Sequence, residues 1–473
     1  MKLDLDLSRV WLVDPERGRE GPGEVVVRGG VLRSVRSLRG DEATGIDDRG
    51  VVVAPAFVDL HTHFREPGNN AAETIGSGMR AAAHGGFGTV CLMPNTQPAL
   101  QSAAAVRDVA WRAAEAVRSG PADIGAIELR TWGAVTVDRA GDQLAPMGEL
   151  ADAGVAGFSE DGAPIHSAVI LRSALAYAGM LGLPIVDHPE DDSLTEGAEA
   201  SEGLIATVLG LKGWPVAAEA AAVGRDIAIL EDVVRDVPGA RLHLTHLSTA
   251  AALDLVRSAK ARGLPLTCDV TPHHLALSDE WLAGSRRWAW EAVDGDGRRR
   301  DPWADSALVA EPYDTATKVN PPLRSPEDAA ACRAALRDGT ADAVATDHAP
   351  HAEVDKAVEF GLAPNGISGI ETALGVLLAA VEAGELSLGR AIEALTAGPR
   401  RVLGGASRPR SFVEAEPANL VVFDRSRSWT VSRDALRSRG KNSPLLGRTL
   451  AGEVLLTVHG GLVVHRSEDI GPS

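Results

Sequence analysis

The chain of 473 residues contains only three cysteines, Cys91, Cys268 and Cys332. No two of them have the CxxC spacing of a thiolate zinc site or a redox motif, and three are too few for a disulfide framework. So little cysteine is typical of proteins from a reducing compartment. The start of the chain, Met1–Asp4, also lacks the basic and apolar regions of a signal peptide, so we expect a cytoplasmic protein.

Positive charge, long apolar runs and nucleotide-binding motifs are lacking as well. The chain has 47 Lys and Arg against 65 Asp and Glu, and its formal net charge of −18 argues against a nucleic-acid partner. No uninterrupted apolar run reaches the roughly 20 residues that a membrane-spanning helix needs. Neither a GxGxxG motif after the first predicted strand nor a GxxxxGK phosphate loop occurs. These absences leave a small molecule as the expected partner, with no nucleic acid and no membrane.

Short β-rich runs occur near both ends of the chain. At the start, Gly29-Gly30 separates two such runs, as in a β-hairpin. The runs at the start are too few to form a stable sheet alone, and the end of the chain supplies matching ones. We therefore predict one small β-sandwich domain built from both termini, residues 1–52 plus 410–473.

Between these ends, strand-like and helix-like segments alternate, which predicts a parallel α/β architecture. Eight segments have the composition of strands: Val51–Val58, Gly88–Met93, Ile127–Val135, Gly154–Phe158, Leu183–Asp187, Arg241–Thr245, Leu264–Val270 and Asp342–Ala345. Helical periodicity marks segments between them, among them Glu73–His84, Ser167–Leu181, Ala217–Val234 and Ala250–Arg262. Eight strands in this order favour a (β/α)8 TIM-like barrel over an open doubly wound sheet, and we place it at residues 53–409.

Residues of the kind that bind metals follow five of these strands. The first strand runs into His61-Thr62-His63, and side chains two apart on a strand face the same way. Barrel enzymes build their sites at the carboxyl ends of the strands, so these ends should meet at one mouth. The candidate ligands are His61, His63, Asp161, His188, His246 and Asp347. Such a set suits two divalent ions with one carboxylate between them, with zinc as the best match and manganese, cobalt or iron as alternatives.

The other histidines near these motifs are interpreted as structural. His243 lies three residues before His246, on the opposite face of its strand. His84 and His166 fall in or beside helices, and His348 should point away from its neighbour Asp347. His273 and His274 follow the seventh strand; they are not assigned as ligands, and support of the ligands from outside is left open for them. Any one of the six candidate ligands alone would more often be structural too, so it is their convergence that favours a metal site.

The motifs at the strand ends make the sequence recognisable. They lie in Asp59–Gly68, Gly85–Phe87, Met93–Thr96, Phe158–Gly162, His188–Asp191, Thr245–Thr249, Val270–His274, Lys318–Arg324, Thr346–His351 and Gly366–Thr372, with Asn442–Pro444 and Gly447 near the C-terminus. Together they resemble the amidohydrolase superfamily and, within it, the class I dihydroorotases. The resemblance extends through the whole predicted barrel.

Lysine is absent between Lys2 and Lys212, and this absence separates the related families. Allantoinases, dihydropyrimidinases and hydantoinases bridge their metals with a carboxylated lysine after the fourth strand. Here the sequence Ser-Glu-Asp-Gly stands at that place, and similar dihydroorotases have a bridging aspartate at the position of Asp161. The resemblance therefore implies Asp161 as the bridge, with Glu160 as the competing choice.

The resemblance implies a reversible cyclisation of N-carbamoyl-L-aspartate to L-dihydroorotate, a step of de novo pyrimidine (UMP) biosynthesis. One or two Zn2+ ions per subunit would be bound, the first by His61, His63 and Asp347 and the second by His188 and His246, with Asp161 bridging. In the hydrolytic direction a metal-bound hydroxide would attack the ring amide carbonyl, because metal lowers the pKa of water to about 7. Asp347 would act as the general base and then as the general acid.

Six further positions match the family's substrate contacts. They are Arg65, Asn95, Asn320, His351, Asn365 and Gly366. Arg65 and Asn95 would bind the substrate carboxylate, for which a planar guanidinium offers two parallel donors. A surface salt bridge is the structural alternative for Arg65. Relatives usually have Phe where Asn365 stands, so the side-chain contact at this position departs from the family.

An insertion at about residues 280–314 is the largest departure from the family. Its tryptophans, Trp281, Trp288, Trp290 and Trp303, predict packing either on the barrel of the same chain or on a neighbouring subunit. The resemblance also implies a homodimer and allows an association with an aspartate carbamoyltransferase. Two alternatives to an active dihydroorotase are an inactive homologue that serves such an enzyme as a structural partner, and another cyclic amide hydrolase with an aspartate bridge. The six filled ligand positions favour the active dihydroorotase.

Overall fold

The structure is a computed structural model that describes residues 3–121, 125–296, 298–304, 308–404 and 412–468. The predicted boundary between barrel and terminal domain at residues 409–410 lies outside the described residues. The strands are Leu5–Asp14, Arg19–Arg28, Val31–Ser37, Val51–Pro55, Phe57–Thr62, Phe87–Leu92, Glu128–Thr131, Gly133–Ala134, Phe158–Ser159, Ile185–Asp187, Ala200–Ser201, Gly213–Trp214, Leu242–Leu244, Leu266–Val270, Ala343–Val344, Leu420–Thr430, Thr449–His459 and Leu462–Arg466. The α-helices are Ile75–His84, Ala103–Ser119, Met147–Asp152, Ala168–Leu181, Asp192–Thr195, Leu204–Leu209, Val216–Asp236, Ala250–Ala261, Pro272–Ala276, Pro326–Asp338, Glu353–Lys356, Ala373–Glu382, Leu388–Leu395 and Ala397–Leu403.

Strands from both ends of the chain form one β-rich domain. Its sheet has seven strands, in the spatial order Leu462–Arg466, Thr449–His459, Leu420–Thr430, Val51–Pro55, Leu5–Asp14, Arg19–Arg28 and Val31–Ser37. Alternate apolar residues of six of these strands, such as Leu12, Val27 and Leu456, share one core, so the sheet folds over its own apolar face. The opposite face of the Val51–Pro55 strand, with Val52 and Ala54, packs into the core of the barrel.

Two glycine turns join the ends of the chain within this sheet. Gly29 and Gly30 form the predicted hairpin turn, with φ of 58° and 77°, and Gly460 and Gly461 form a second one, with φ of 57° and 78°. The turns touch each other so closely that a Cβ on Gly30 would lie 2.5 Å from the carbonyl oxygen of Gly461. Only glycine therefore fits where the N-terminal and C-terminal hairpins meet.

Two further sheets, of three and six strands, share the divided third strand and together form a barrel of eight parallel strands. The third strand is interrupted at Trp132: residues Glu128–Thr131 pair with the second strand and Gly133–Ala134 with the fourth. The barrel closes where Thr62 of the first strand pairs with His348, which lies after the eighth strand, and where the His63 N–H donates to the His348 carbonyl at 2.8 Å. The predicted (β/α)8 barrel with a β-rich domain from both termini is thus confirmed.

The first predicted strand, Val51–Val58, was wrong in one respect. The structure divides this apolar run at Ala56, with Val51–Pro55 in the terminal sheet and Phe57–Thr62 in the barrel. Both halves are buried on two faces, so the run is uniformly apolar and periodicity gives no sign of the division. The C-terminal strand that pairs with Val51–Pro55, Leu420–Thr430, is far away in sequence.

Both ends of each of the four predicted barrel helices agree with the structure to within two residues. Helices Ile75–His84, Ala168–Leu181 and Ala250–Ala261 each follow a Ser or Thr whose side chain accepts a backbone N–H of the first turn. Such a cap contributes about 1 kcal/mol and fixes the start of the helix. Among the described residues, none of the helices combines the length and apolar character needed to cross a bilayer.

The insertion packs on its own chain. Trp281 and Trp288 are buried in a cluster with Val319 and Leu323 of a barrel loop and with Leu450 of the terminal domain. The guanidinium carbon of Arg448 lies 3.6 Å from the centre of the Trp288 ring, a cation–π contact. In the described parts of the insertion, the first of the two predicted packing modes is therefore the observed one.

Candidate active site

The six predicted metal ligands meet at the carboxyl ends of the barrel strands. They are His61, His63, Asp161, His188, His246 and Asp347, and all are buried. His61 lies within the first strand, and the others follow the first, fourth, fifth, sixth and eighth strands by one to three residues. Buried apolar side chains, among them Leu60, Met93 and Trp132, form a separate core cluster within the barrel.

One half of the cluster is built from the first and eighth strands. Nε2 of His61 lies 3.1 Å from Nε2 of His63, and Oδ1 of Asp347 lies 3.4 Å and 3.2 Å from these two nitrogens. Oδ2 of Asp161 is 3.1 Å from Nε2 of His61 and 3.4 Å from Nε2 of His63. Two imidazoles and one oxygen from each of two carboxylates therefore surround one point.

The other half is built from the fifth and sixth strands. Nδ1 of His188 lies 2.8 Å from Nε2 of His246. Oδ1 of Asp161 is 3.3 Å from the first of these nitrogens and 3.4 Å from the second. Asp161 thus turns one oxygen to each pair of histidines, which is the geometry of a bridging ligand.

These separations fit a metal. In a tetrahedral site with bonds of 2.0–2.1 Å, neighbouring ligand atoms lie about 3.3–3.4 Å apart. Seven of the eight separations given above are between 3.1 and 3.4 Å. The ligand atoms of His61, His63 and Asp161, and those of Asp161, His188 and His246, also form two groups able to hold an ion. The donor set therefore suits one or two divalent ions.

Three of the four rings are oriented by what their outer nitrogen contacts, whereas Nδ1 of His246 has no hydrogen-bond partner among the described residues. Nδ1 of His61 lies 2.8 Å from the Thr245 hydroxyl, and Nδ1 of His63 lies 3.0 Å from Oδ1 of Asn95. Nε2 of His188 lies 3.0 Å from Oε2 of Glu190. A hydrogen bond at the outer nitrogen places the proton there and leaves the inner nitrogen free to bind metal.

Two residues of this supporting layer were missed in the sequence. Glu190 accepts from Asn320 Nδ2 at 3.1 Å as well as contacting His188, so it links a metal-facing ring to a predicted substrate contact. Asp269 accepts the His246 N–H at 2.6 Å and contacts the Thr245 hydroxyl, which in turn holds His61. Glu190 stands two residues after His188, a spacing that could have indicated it, but Asp269 ends a different strand and has no local signal.

The charges of the cluster favour anionic carboxylates. Burial raises the pKa of Asp161 and Asp347, but the surrounding histidines outweigh it and hold both pKa values well below the usual range. Burial lowers the pKa of His61, yet Asp161 and Asp347 raise it to about 9, and Asp161 with Glu190 raises that of His188 to about 10. The protons held by these rings are those that a metal ion would displace on binding.

The backbone is strained at three residues of the site. Arg65, His246 and Asp347 have φ of 58°, 44° and 44°, in the left-handed region that costs a non-glycine residue about 1–2 kcal/mol. Hydrogen bonds hold two of these turns, from the His246 N–H to Asp269 and from the Thr346 N–H and hydroxyl to Asp59. Strain kept in this way is typical of functional sites.

Glu160, the competing choice for the bridge, points elsewhere. Its Oε1 accepts from the hydroxyl of Thr136, and its backbone carbonyl accepts from Arg139 at 2.8 Å. Among the described residues, none of its contacts is to a histidine of the cluster. The structure therefore places Asp161, and not Glu160, between the two pairs of rings.

A cavity of about 200 Å3 opens onto the cluster. Sites for drug-sized ligands measure roughly 300–1,000 Å3, so a cavity of this size suits a smaller substrate molecule. It is lined by five of the six candidate metal ligands and by all six predicted substrate contacts: Arg65, Asn95, Asn320, His351, Asn365 and Gly366. The structure thus brings together the residues that the sequence placed in one site.

Arg65 keeps its donors directed at the cavity. Its Nε donates to the Pro350 carbonyl at 3.2 Å, while Nη2 lies 3.4 Å from Nε2 of His351. Burial lowers the pKa of His351 to about 3, so the ring is neutral. The Asn365 carbonyl lies 2.7 Å from the same Nε2, which must therefore carry the proton and cannot accept one from Arg65. The terminal nitrogens of Arg65 remain available for an anionic ligand.

The histidines interpreted as structural lie outside the cluster. His243 contacts Thr267 and Asp269 at 2.8 Å, and His84 lies 2.7 Å from Glu371. The remaining ones, His166, His273, His274 and His348, are absent from the two ligand groups formed by the described residues.

Sequence comparisons assign the family. The sequence model described as "Dihydro-orotase-like" matches residues 50–252, and that of the amidohydrolase family matches residues 212–464. A curated dihydroorotase of Anaeromyxobacter dehalogenans strain 2CP-1 is 43% identical over 97% of this chain and 96% of its own length. One from Pelotomaculum thermopropionicum is 40% identical over 96% of both.

Structural comparisons agree with the fold. An L-hydantoinase from Arthrobacter aurescens superposes with a TM-score of 0.76 over 98% of this chain and 96% of that one, at 22% identity. A D-hydantoinase superposes with a TM-score of 0.73 over 98% and 96%, also at 22% identity. At this identity the likeness concerns the fold alone, whereas the sequence relatives cover almost the whole chain. The chain therefore belongs to the dihydroorotase family of the amidohydrolase superfamily.

Proposed function

We propose that this protein is a metal-dependent dihydroorotase, a cyclic amidohydrolase that interconverts N-carbamoyl-L-aspartate and L-dihydroorotate. The single observation that carries this proposal is the cavity in which a bridged histidine cluster faces Arg65 and Asn95. The cluster supplies the chemistry of amide hydrolysis, and the arginine supplies a partner for a carboxylate beside the scissile ring. Relatives named dihydroorotase, which match almost the whole chain, support the proposal.

The cluster would hold the metal in two sets of ligands. His61, His63 and Asp347 form the first set, His188 and His246 form the second, and Asp161 belongs to both. A divalent ion bound there acidifies water to a pKa of about 7 and polarises the scissile carbonyl. We propose zinc, because imidazole and carboxylate ligands at these separations suit it.

Asp347 is the proposed proton carrier. Its Oδ1 faces the first pair of histidines, and its side chain also lines the cavity. It is held anionic by those histidines, so in hydrolysis it can accept a proton and then donate it to the leaving ring nitrogen. In cyclisation the same group works in the reverse order.

Arg65 and Asn95 are the proposed partners of the substrate carboxylate. Within the described part of the chain, the terminal nitrogens of Arg65 have no acceptor to donate to, since Nε2 of His351 carries its own proton. Oδ1 of Asn95 lies 3.0 Å from Nδ1 of His63, so the Asn95 amide nitrogen is the atom available to a ligand. A guanidinium and an amide N–H both donate to a carboxylate. Dihydrouracil and hydantoin lack that carboxylate, so they would leave both donors unpaired. The site should therefore select substrates that carry the acid.

Three further properties belong to the proposal. All three cysteines are free and buried, which supports a cytoplasmic enzyme. We also propose a homodimer and an association with an aspartate carbamoyltransferase, both on the family resemblance. Light scattering of the pure protein, alone and mixed with that enzyme, measures both.

The decisive experiment is an assay of the purified enzyme with metal analysis. Dihydroorotate should be hydrolysed and N-carbamoyl-L-aspartate cyclised, with one or two zinc ions per chain. Hydantoin, allantoin and dihydrouracil should react far more slowly, because they leave the buried cation unpaired. Comparable turnover of dihydrouracil and dihydroorotate would overturn the assignment.

Arg65→Met tests the substrate subsite. It should raise KM for dihydroorotate roughly 10–100-fold, since a hydrogen bond to a charged group contributes about 1.5–3 kcal/mol, and it should leave the metal content unchanged. The matched control is Arg172→Met, which removes an exposed arginine that pairs with Asp232 on the outer helices. A variant with normal KM would show that Arg65 does not contact the substrate.

A further inference from the structure

One wall of the cavity is a short segment, Pro364–Gly366, whose backbone is almost fully occupied. Its three carbonyl oxygens accept from Lys356 Nζ, His351 Nε2 and Asn442 Nδ2. The Gly366 N–H donates to the Lys318 carbonyl at 2.9 Å. A loop held at this many points keeps a fixed position against the substrate.

Lys356 is a buried amine whose pKa burial and the neighbouring Lys318 lower to about 7, and among the described residues its Nζ donates to carbonyl oxygens alone. Its Nζ donates to Thr315 O at 2.9 Å, Lys318 O at 3.3 Å and Pro364 O at 2.7 Å. These bonds use all three N–H groups and tie three separate segments together. The residue is only 8% exposed, and no carboxylate of the described residues forms an ion pair with it. Burying a charge in this way is costly unless every donor is satisfied.

Asn442 holds the same segment from the terminal β domain. Its Oδ1 accepts from the His351 N–H at 2.8 Å and from the Ser368 hydroxyl at 3.0 Å. Its Nδ2 donates to Ala349 O at 3.2 Å and to Gly366 O at 2.9 Å. All four hydrogen-bonding positions of the amide are used, so the residue fixes the loop after the eighth strand relative to the Gly366 segment.

Gly366 shows how closely the two loops approach. Its φ is +143°, and a Cβ at this position would lie 2.6 Å from the Ala349 carbonyl oxygen and 2.9 Å from Nε2 of His351. The segment therefore cannot move toward His351, and Lys356 and Asn442 prevent it from moving away. His351 in turn stands beside Arg65.

We propose that Lys356 and Asn442 are positioning residues that set substrate affinity by clamping the Pro364–Gly366 segment and, through it, His351. Neither is among the residues that line the cavity, so they act through the segment and not by contact with the substrate. The inference rests on the proposed function, because it concerns the same cavity.

Kinetics of the zinc-loaded enzyme test the clamp. Lys356→Met and Asn442→Ala should each raise KM for dihydroorotate about tenfold or more, with a smaller change in kcat and no change in metal content. Lys356→Arg, which keeps the charge and several donors, should restore most of the affinity. The matched control is Lys212→Met, whose ammonium binds one carbonyl, that of Glu196, at the protein surface. Unchanged KM in both clamp variants would overturn the proposal.

Hydrogen exchange followed by mass spectrometry gives a readout that does not depend on activity. Peptides covering residues 359–370 should exchange faster in Lys356→Met and Asn442→Ala than in the wild type, while peptides of the barrel strands stay unchanged. If Lys356→Met fails to fold, Lys356→Gln, which keeps two donors, allows the same comparison. Equal exchange in variant and wild type would overturn the clamp. A wild type that does not hydrolyse dihydroorotate would instead contradict the proposed function and leave this test intact.

Discussion

The two halves of the histidine cluster are built and supported differently. His61 and His63 come from one strand, and their outer nitrogens contact neutral groups, the Thr245 hydroxyl and the Asn95 amide oxygen. His188 and His246 come from two strands, and the outer nitrogen of His188 contacts the carboxylate of Glu190.

This difference separates two tasks. The first half has Asp347 beside it, and its neutral partners orient the rings without adding charge. Of the described residues that line the cavity, none adds a comparable carboxylate to the second half. Asp161 and Glu190 raise the pKa of His188, which makes it a stronger metal ligand. We infer that proton transfer takes place at the first half and that the second half mainly holds metal.

The largest effect is expected where the halves join. Asp161→Ala removes a ligand from both sets, so most bound metal and nearly all activity should be lost, a greater loss than removal of the proton carrier alone. Circular dichroism should show a native fold, because the barrel core does not include this side chain. The matched control is Glu160→Gln, which changes the adjacent carboxylate that contacts Thr136. Full metal content and near-normal turnover in Asp161→Ala would exclude it as the bridge.

Asp347→Asn should separate proton transfer from metal binding. The change keeps the size of the side chain but removes the carboxylate that moves the proton, a step commonly worth ~10²–10⁴-fold in rate. Both directions of the reaction should slow to this extent, while the ion held by His188 and His246 and the binding of substrate through Arg65 are retained. Metal analysis, ligand titration and assays in both directions provide the measurements. Normal speed in either direction would rule out Asp347 as the shared acid and base.

Glu190→Gln should weaken the second half only. Loss of the outer carboxylate should lower the metal affinity of His188 and His246 by about 10–100-fold, as for other outer-sphere partners. Titration with zinc against a competing chelator should show one binding step weakened and the other unchanged. Glu196→Gln, an exposed carboxylate on the same loop, serves as the control. Weakening of both steps equally would contradict the independence of the halves.

Thr245→Val should give the smallest effect, and it acts on the first half. Valine keeps the shape but removes the hydroxyl that orients His61, so the affinity of the first ion should fall by about tenfold, the lower end of the range for such partners. The same zinc titration measures it. Thr207→Val is the control, because this hydroxyl binds a backbone carbonyl on an exposed helix. A larger loss of zinc affinity in Thr245→Val than in Glu190→Gln would contradict the expectation that the outer partner matters more in the second half.

Much of the site was predictable because its chemistry lies at strand ends. A buried strand must end in a polar turn, and in a parallel barrel all such turns lie on one rim, so His61, His188 and Asp347 could be placed together without coordinates. The supporting layer was not predictable in this way. Asp269 is linked to His61 through the hydroxyl of Thr245, and no sequence pattern indicates that link.

The insertion and the Pro364–Gly366 segment show the same limit of prediction from sequence. Tryptophan content predicted that residues 280–314 pack against something, but only the fold decides that Trp281 and Trp288 contact a barrel loop and the terminal domain. Likewise, Lys356 and Asn442 are 86 residues apart in sequence, yet both donate hydrogen bonds to the Pro364–Gly366 segment.

By itself, the sequence determined the kinds of candidate ligand and the five strands that they follow, and the absence of lysine from residues 3–211 excluded a lysine bridge near residue 160. Only the tertiary structure decided which of the 13 histidines point inward and which atom of each faces the centre. The physical reason is that these directions depend on left-handed turns at His246 and Asp347, which are stable because Asp269 and Asp59 bond to the turns from other strands. Composition and periodicity act locally, whereas those hydrogen bonds exist only once the barrel has closed.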